Sequence, residues 1–288
     1  MSEQAVDNLG VGVFEGVAIV TQFIRSRVIP ILRSVFDSTT DYDKRLLGVY
    51  ARAFNWMQSL EKLSSPADYQ AVVTGNRALF ELTIDLILLV RGEPSQASEQ
   101  MDCWEQSAKL KLATTLRTYF EKHPPVPAAY EPRLAFIKLN EDKIIEQRKA
   151  FWPSLNGNHP NRWTGTNLDD DAPKADKLLM PEYSGELEKT LEEFYETQMR
   201  RMNLSVHGSA LAIEMTSELP EFRRFCALAN KWSSDLAMLC TNLILTKLRI
   251  LEDLPELSKE LEQVAQMKKE AEFRALPRGI PSDEEPLD

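Results

Sequence analysis

The stretch TGNRALFELTIDLILLVRG, residues 74–92, decides the fold class of this chain. Apolar side chains occupy nearly every face of the helix it would form, a pattern typical of a central, buried helix. Arg77, Glu81 and Asp85 follow one another at steps of four, so all three lie on one side of that helix. Gly92 stands where a helix C-cap is expected. The stretch therefore predicts the central helix of a helical fold.

The same periodicity extends outward over the rest of the 288 residues. Apolar residues recur at steps of three and four, and the alternation typical of strands is nearly absent. Apolar residues make up 43% of the chain, enough for a substantial core. We predict an all-α, multi-helix bundle in four parts. These are an N-terminal helical extension over 1–64, a helical domain over 65–252, a C-terminal helix over 253–276 and a disordered acidic tail over 277–288.

Charge and cysteine content limit the classes of function. The net charge of -10 argues against a broad nucleic-acid surface, although a small basic site remains compatible with it. Three cysteines without a CxxC pair argue against a disulfide framework or a zinc site. We find no secretory signal, no run long enough to span a membrane, and no phosphate-binding or dinucleotide-binding glycine motif. We therefore expect a cytoplasmic protein with no metal, no cofactor and no membrane partner.

A loop is predicted over residues 154–181, SLNGNHPNRWTGTNLDDDAPKADKLLMP, and loops of this length are often functional. Arg162 and Trp163 offer a cation and an aromatic ring that stacks on a base. The alternative is a surface loop anchored by Trp163, and composition alone favours it. The run Asp169–Asp171 is expected to be solvated rather than to bind a cation.

Arg77 and Glu81 have two interpretations. They either form ion pairs, with each other or with neighbouring helices, because unpaired burial of charge is costly, or they line a polar cleft. We favour the ion pairs.

A second polar segment, ETQMRRMNLSVHGSALAIEM, covers residues 196–215. In a continuous helix Arg200 and His207 share a face about 10.5 Å apart along the axis, with Asn203 between them. Arginine suits a phosphate and histidine exchanges a proton near neutral pH, which together are the minimum for cleaving RNA without a metal. The alternative, a structural histidine beside a solvated arginine face, is favoured by spacing alone.

Three features together resemble a known family: the Arg77–Glu81 helix, the Arg162–Gly165 loop and the Asn203–Ser209 segment after two arginines. They are similar to an uncharacterised, mostly prokaryotic domain family placed among the HEPN-like helical proteins. Its members carry an R-x-x-x-E helix, a W-[ST]-G loop and an R-x-x-[ST]-x-x-V-H-G/P-S segment. Here Asn203 stands at the Ser/Thr position, and the resemblance covers about residues 65–245.

The resemblance implies a HEPN-like core, a homodimer and, in active members, a metal-independent endoribonuclease with two copies of the motif at the dimer interface. Either Arg200 or Arg201 would act with His207. Substrate binding is assigned to Asn203, Ser205, Arg162 and Trp163. The polar cleft is assigned to Arg77 and Glu81. Three functions stay open: an RNase with a toxin or defence role, a non-catalytic helical protein that binds a protein partner, and a module that binds RNA or a nucleotide.

Overall fold

The computed structural model describes residues 15–63, 68–179, 187, 189–200, 202 and 219–275. Within them the regular secondary structure is helical and no strand occurs, which confirms the all-α prediction. The helices, in chain order, are α1 over 15–35, α2 Asp41–Leu60, α3 Tyr69–Arg91, α4 Pro94–Lys122, α5 Glu131–Phe151, α6 Leu168–Leu179, α7 Leu191–Phe194 followed by the π-helical turn Tyr195–Met199, α8 Leu219–Lys247, α9 Ile250–Asp253 and α10 Pro255–Ala275.

The chain divides into two compact units. Unit 1 combines residues 1–91 with 174–288, and unit 2 comprises residues 92–173. The boundaries predicted at 64 and 252 follow composition along the chain, whereas these units follow contacts in space. Thus α2, which falls in the predicted N-terminal extension, packs along α3 in unit 1.

Local sequence explains where several helices begin. Thr40 and Asp43 form a reciprocal capping box at the start of α2. Pro30 occupies the second residue of the α-helical stretch Ile29–Val35, directly after the π-helical turn Ile24–Val28. Its missing N–H therefore falls where an α-helix starts again and needs no internal partner.

The core of unit 1 is built on α3, which packs between α2 and α8. Helices α3 and α8 run parallel, because the residue numbers of contacting partners rise together along both helices. The Asn76 side-chain amide donates to Ser233 Oγ at 2.8 Å, and seven residues later Thr83 Oγ1 lies 3.3 Å from Cys240 Sγ. A buried hydrogen bond of 2.9 Å between Tyr50 and Thr241 ties α2 to α8. These polar contacts set the register of an otherwise apolar interface.

The C-terminal helix α10 is fixed to unit 1 by buried charge. Lys268 Nζ lies 2.6 Å from Asp235 Oδ1 on α8 and 2.9 Å from Glu272 Oε1 one turn further along α10. Lys268 is only 4% exposed. An exposed ion pair between Arg27 and Glu260, at 2.6 Å, joins α1 to α10.

Unit 2 is an antiparallel α4–α5 hairpin with the loop that follows it. Its core is formed by Leu110, Ala113, Ile137 and Ile144. The predicted loop over 154–181 is wrong in its second half, because α6 begins at Leu168. Asp169, Asp170 and Asp171 occupy the first turn of α6, where carboxylates favour a helix N-terminus.

Among the described residues, no helix combines the length and the apolar character that crossing a membrane requires.

Candidate functional site

The helix that bears Arg200 begins at a firmly capped N-terminus in unit 1. Thr190 Oγ1 accepts the backbone N–H of Glu193 at 3.1 Å. The Asp176 carboxylate on α6 accepts the backbone N–H groups of Leu191 and Glu192, both at 2.8 Å. Three of the N–H groups that a helix start leaves unpaired are thus satisfied, and α7 begins at a defined position.

Aromatic packing holds α7 against the core of unit 1. The Phe194 ring lies 4.9 Å from the Phe80 ring on α3 and 4.5 Å from the Trp232 ring on α8, measured between centroids. Met199 and Met202 are also buried. Because both flanking methionines face inward, Arg200 between them faces outward.

The Arg200 guanidinium is presented at the surface. Its side chain is 59% exposed, lies 2.9 Å from Glu196 Oε1, and stands 5.8 Å from the centroid of the Tyr195 ring. An exposed i,i+4 pair of this kind contributes little, about 0.3–0.5 kcal/mol, so an anion can displace Glu196 at small cost. The preceding turn, Tyr195–Met199, is π-helical, a rare geometry that is frequent at functional sites.

The remaining residues of the predicted catalytic segment lie outside the described residues. They are Arg201, Asn203, Ser205 and His207. The spacing between Arg200 and His207 therefore stays a prediction.

Arg77 and Glu81 form the pair that the sequence favoured. Arg77 Nε donates to Glu81 Oε1 at 2.9 Å, and about a third of each side chain is exposed. The pair is thus not sealed in the core, although the neighbouring Asn76 is fully buried. Each charge has its partner within one turn of α3.

In unit 2 the predicted functional loop is organised by one carboxylate. Asp171 Oδ2 accepts from Arg162 Nε at 2.6 Å and from Thr164 Oγ1 at 2.8 Å. Asp171 Oδ1 accepts from Thr166 Oγ1 at 2.7 Å. The Asp171 side chain is 1% exposed, so the charge-assisted bond to Arg162 is shielded from water.

Asp171 corrects the expectation that the Asp169–Asp171 run is solvated. The expectation is wrong for Asp171, since its carboxylate is buried by the loop that it holds. The sequence did contain a signal, because Arg162, Thr164 and Thr166 offer three donors within nine residues of it. Without a structure, nothing distinguished Asp171 from its two acidic neighbours.

Trp163 packs inside unit 2 rather than at its surface. It is 6% exposed, and stacking on a base would require the ring to leave this position. The residues after Trp163 form a turn that packs against the buried indole of Trp152. Gly165 has a φ of +81°, and a Cβ there would lie 2.1 Å from Trp152 Cδ1, so only glycine fits. In this arrangement Arg162 and Trp163 stabilise the loop.

The described cysteines are not poised for nucleophilic chemistry. Cys103 and Cys240 are buried, whereas the side chain of Cys226 lies outside the described residues. Burial raises the pKa of the Cys240 thiol to about 12, against a smaller opposing effect of its hydrogen bond with Thr83. A thiol of that pKa is protonated near neutral pH. Among the described residues, no group of three or more His, Cys, Asp or Glu side chains is arranged to hold a metal ion.

The fold and the site together define an all-α bundle protein with an exposed arginine at the end of a π-helical turn. Within that class, the chain belongs to DUF5677, a family of unknown function whose model matches residues 43–219. This confirms the predicted membership of an uncharacterised domain family, over a range that starts and ends earlier than the predicted 65–245. A search of curated proteins found no match, and a search of solved structures found none either.

Proposed function

We propose that this protein is a HEPN-like endoribonuclease that cleaves RNA phosphodiesters without a metal ion, with His207 and either Arg200 or Arg201 as the catalytic pair. The observation that supports it is the Arg200 guanidinium, which projects from a rigidly anchored helix with only an exposed partner. The family match, which extends over the Arg200–His207 segment, supports treating that segment as part of the family's domain.

The chemistry needs one base and one fixed positive charge. His207, in its neutral form, would remove the proton of a ribose 2′-hydroxyl. The 2′-oxygen would then attack the adjacent phosphorus, forming a 2′,3′-cyclic phosphate and displacing the 5′-oxygen, which takes up a proton. The guanidinium of Arg200 or Arg201 would stabilise the additional negative charge on the phosphorane.

The proposal includes a homodimer, because two copies of such a motif meet at a shared interface in the proteins that this chain resembles. It also includes a cytoplasmic location. RNA is then the partner, and neither a cofactor nor a membrane is needed. A toxin or defence role would follow from cleavage of cellular or phage RNA.

The test is incubation of the purified protein with mixed RNA in EDTA. The wild type is expected to cleave, and His207→Ala and Arg200→Ala are each expected to lose about a hundredfold or more of the rate. Matched controls are His123→Ala and Arg52→Ala, which remove an exposed histidine and an exposed helical arginine elsewhere. Circular dichroism verifies folding of every variant.

Cleavage that survives His207→Ala in a folded protein would exclude the assigned base. If the single Arg200 variant keeps full activity, Arg201→Ala decides whether the neighbouring arginine performs the role. Loss of activity in both controls would instead indicate general destabilisation.

A non-catalytic function of the same surface is the second candidate. It is favoured by the cation–π contact and the ion pair that already engage Arg200, since these suit a binding surface as well as a catalytic one. A module that binds RNA or a nucleotide without turnover would lose affinity in Arg200→Ala and keep it in His207→Ala. If the protein instead binds a protein partner, the wild type is expected not to bind RNA. If His207 is structural, its replacement is expected to lower the melting temperature of the protein.

A further inference from the structure

A cleft of about 440 Å³ lies between α4 and α5 in unit 2. This volume falls within the range of about 300–1,000 Å³ that small-molecule sites occupy. Cys103 on α4 and Ile144 on α5 are buried and form an apolar floor, and Phe151 also lines the cleft. The remaining lining residues are polar. The cleft therefore combines an apolar base with polar walls, as small-molecule sites do.

The charged residues of the cleft lie at opposite ends. Lys143 and Phe151, both on α5, are about 12 Å apart along the helix axis at a rise of about 1.5 Å per residue. Because α4 runs antiparallel to α5, Glu99 and Asp102 lie toward the Phe151 end, and Gln106 lies toward the Lys143 end. One end of the cleft is therefore acidic and aromatic, and the other end is basic.

Two glutamines lie between these ends with unused hydrogen-bonding groups. Gln106 on α4 and Gln147 on α5 are half-buried, and neither forms a hydrogen bond with a residue that the structure describes. Each carboxamide offers N–H donors and a carbonyl acceptor. A ligand that carries both donors and acceptors, as a peptide group does, matches these two side chains.

The charges at the two ends are available to a ligand. Glu99 and Lys143 are exposed, and neither forms an ion pair within the described part of the chain. With Asp102, the cleft carries two carboxylates against one ammonium group. This balance opposes a phosphate group such as that of a nucleotide. It favours a ligand with an ammonium group at one end and a single carboxylate at the other.

We propose that this cleft binds a short peptide in an extended conformation, with its amino terminus at Glu99 and its terminal carboxylate at Lys143. Three extended residues span about 10 Å, close to the axial length of the cleft. The peptide groups between the termini pair with Gln106 and Gln147. The Phe151 ring, at the acidic end, offers its face to the ammonium group. The site belongs to unit 2 and does not depend on the RNase proposal.

Calorimetric titration of the full-length protein with trialanine, which presents both termini and two peptide groups, measures the affinity. Saturable binding is expected. Lys143→Gln is expected to weaken it about tenfold, as for loss of a charge-assisted hydrogen bond. Lys138→Gln, an exposed lysine of α5 outside the cleft, is the matched control and is expected to bind as the wild type.

The acidic end is tested in the same way. Glu99→Gln is expected to weaken trialanine binding severalfold, because Asp102 still offers a carboxylate at that end. Glu105→Gln, an exposed glutamate of α4 outside the cleft, is the matched control. The substituted positions are exposed, so the variants are expected to fold, and circular dichroism verifies this.

Trialanine blocked at one end assigns the orientation. The amidated peptide lacks the carboxylate, so the wild type and Lys143→Gln should bind it equally. The acetylated peptide lacks the ammonium group, so the wild type and Glu99→Gln should bind it equally. The reverse pattern would overturn the assigned orientation.

Three outcomes would overturn the peptide assignment itself. The first is the absence of saturable trialanine binding. The second is equal affinity for trialanine and for trialanine blocked at both ends, because the charged termini would then contribute nothing. The third is displacement of trialanine by adenosine 5′-monophosphate, which would assign the cleft to a nucleotide instead.

Discussion

The Arg162 guanidinium lies 2.6 Å from the Asp171 carboxylate, and both side chains are largely removed from solvent. They are nine positions apart in the sequence, so this pair closes the loop before α6 on itself. The hydroxyls of Thr164 and Thr166 also donate hydrogen bonds to the same carboxylate. The segment predicted as a substrate-binding loop is thus internally braced.

Replacing Asp171 by Asn is expected to destabilise the protein by about 3 kcal/mol or more, because the buried ion pair with Arg162 would be broken. Urea denaturation monitored by circular dichroism measures the change in the free energy of unfolding. Asp170→Asn, at the exposed neighbouring position, is the matched control and should change stability by less than about 0.5 kcal/mol. Equal effects of the two substitutions would show that the Arg162 pair contributes nothing specific.

Gly165→Ala is expected to destabilise the protein by about 1–3 kcal/mol, since the added methyl would collide with Trp152 and the backbone φ is left-handed. Thermal unfolding measures it. Gly48→Ala is the control, because a Cβ there meets nothing within 4 Å. In the middle of α2, that change should stabilise by about 0.5–1 kcal/mol. A neutral Gly165→Ala would mean that the indole moves aside freely.

Lys268→Met is expected to cost about 3–5 kcal/mol, because the buried cation that pairs with both Asp235 and Glu272 would be lost. Lys269→Met, one residue along at an exposed position, should be close to neutral. Chemical denaturation of both proteins compares them. Adding Asp235→Asn to Lys268→Met should restore part of the lost stability, and a failure to do so would argue against charge as the cause.

The raised pKa of Glu272 predicts how the free energy of unfolding depends on pH. Burial raises its pKa above 4.5, against the opposing effect of Lys268. A carboxyl group whose pKa is higher in the folded state than in the unfolded state stabilises the protein fully at pH values below its unfolded-state pKa. This contribution to the free energy of unfolding is lost as the pH rises through the folded-state pKa. Glu272→Gln should therefore gain stability relative to the wild type as pH rises from about 4.5 through that window. Melting temperatures across pH measure this, with the exposed Glu262→Gln as control, for which the difference should be flat.

The helices were largely readable from the sequence. The long helices Pro94–Lys122 and Glu131–Phe151 belong to the multi-helix bundle that the sequence predicted. Apolar spacing and capping residues act within one or two turns, so a local pattern is sufficient to find them. The start of α6 at Leu168 was missed because three consecutive aspartates, Asp169–Asp171, follow Leu168 in its first turn.

By itself, the sequence determined the all-α class and indicated an uncharacterised domain family, and it marked the Arg200–His207 segment as a candidate site. It also favoured a pair between Arg77 and Glu81, because one helical turn joins them. Only the tertiary structure decided which charges are buried. Arg148, Asp171 and Lys268 look like their exposed neighbours in the sequence, because burial depends on segments that pack from elsewhere in the chain.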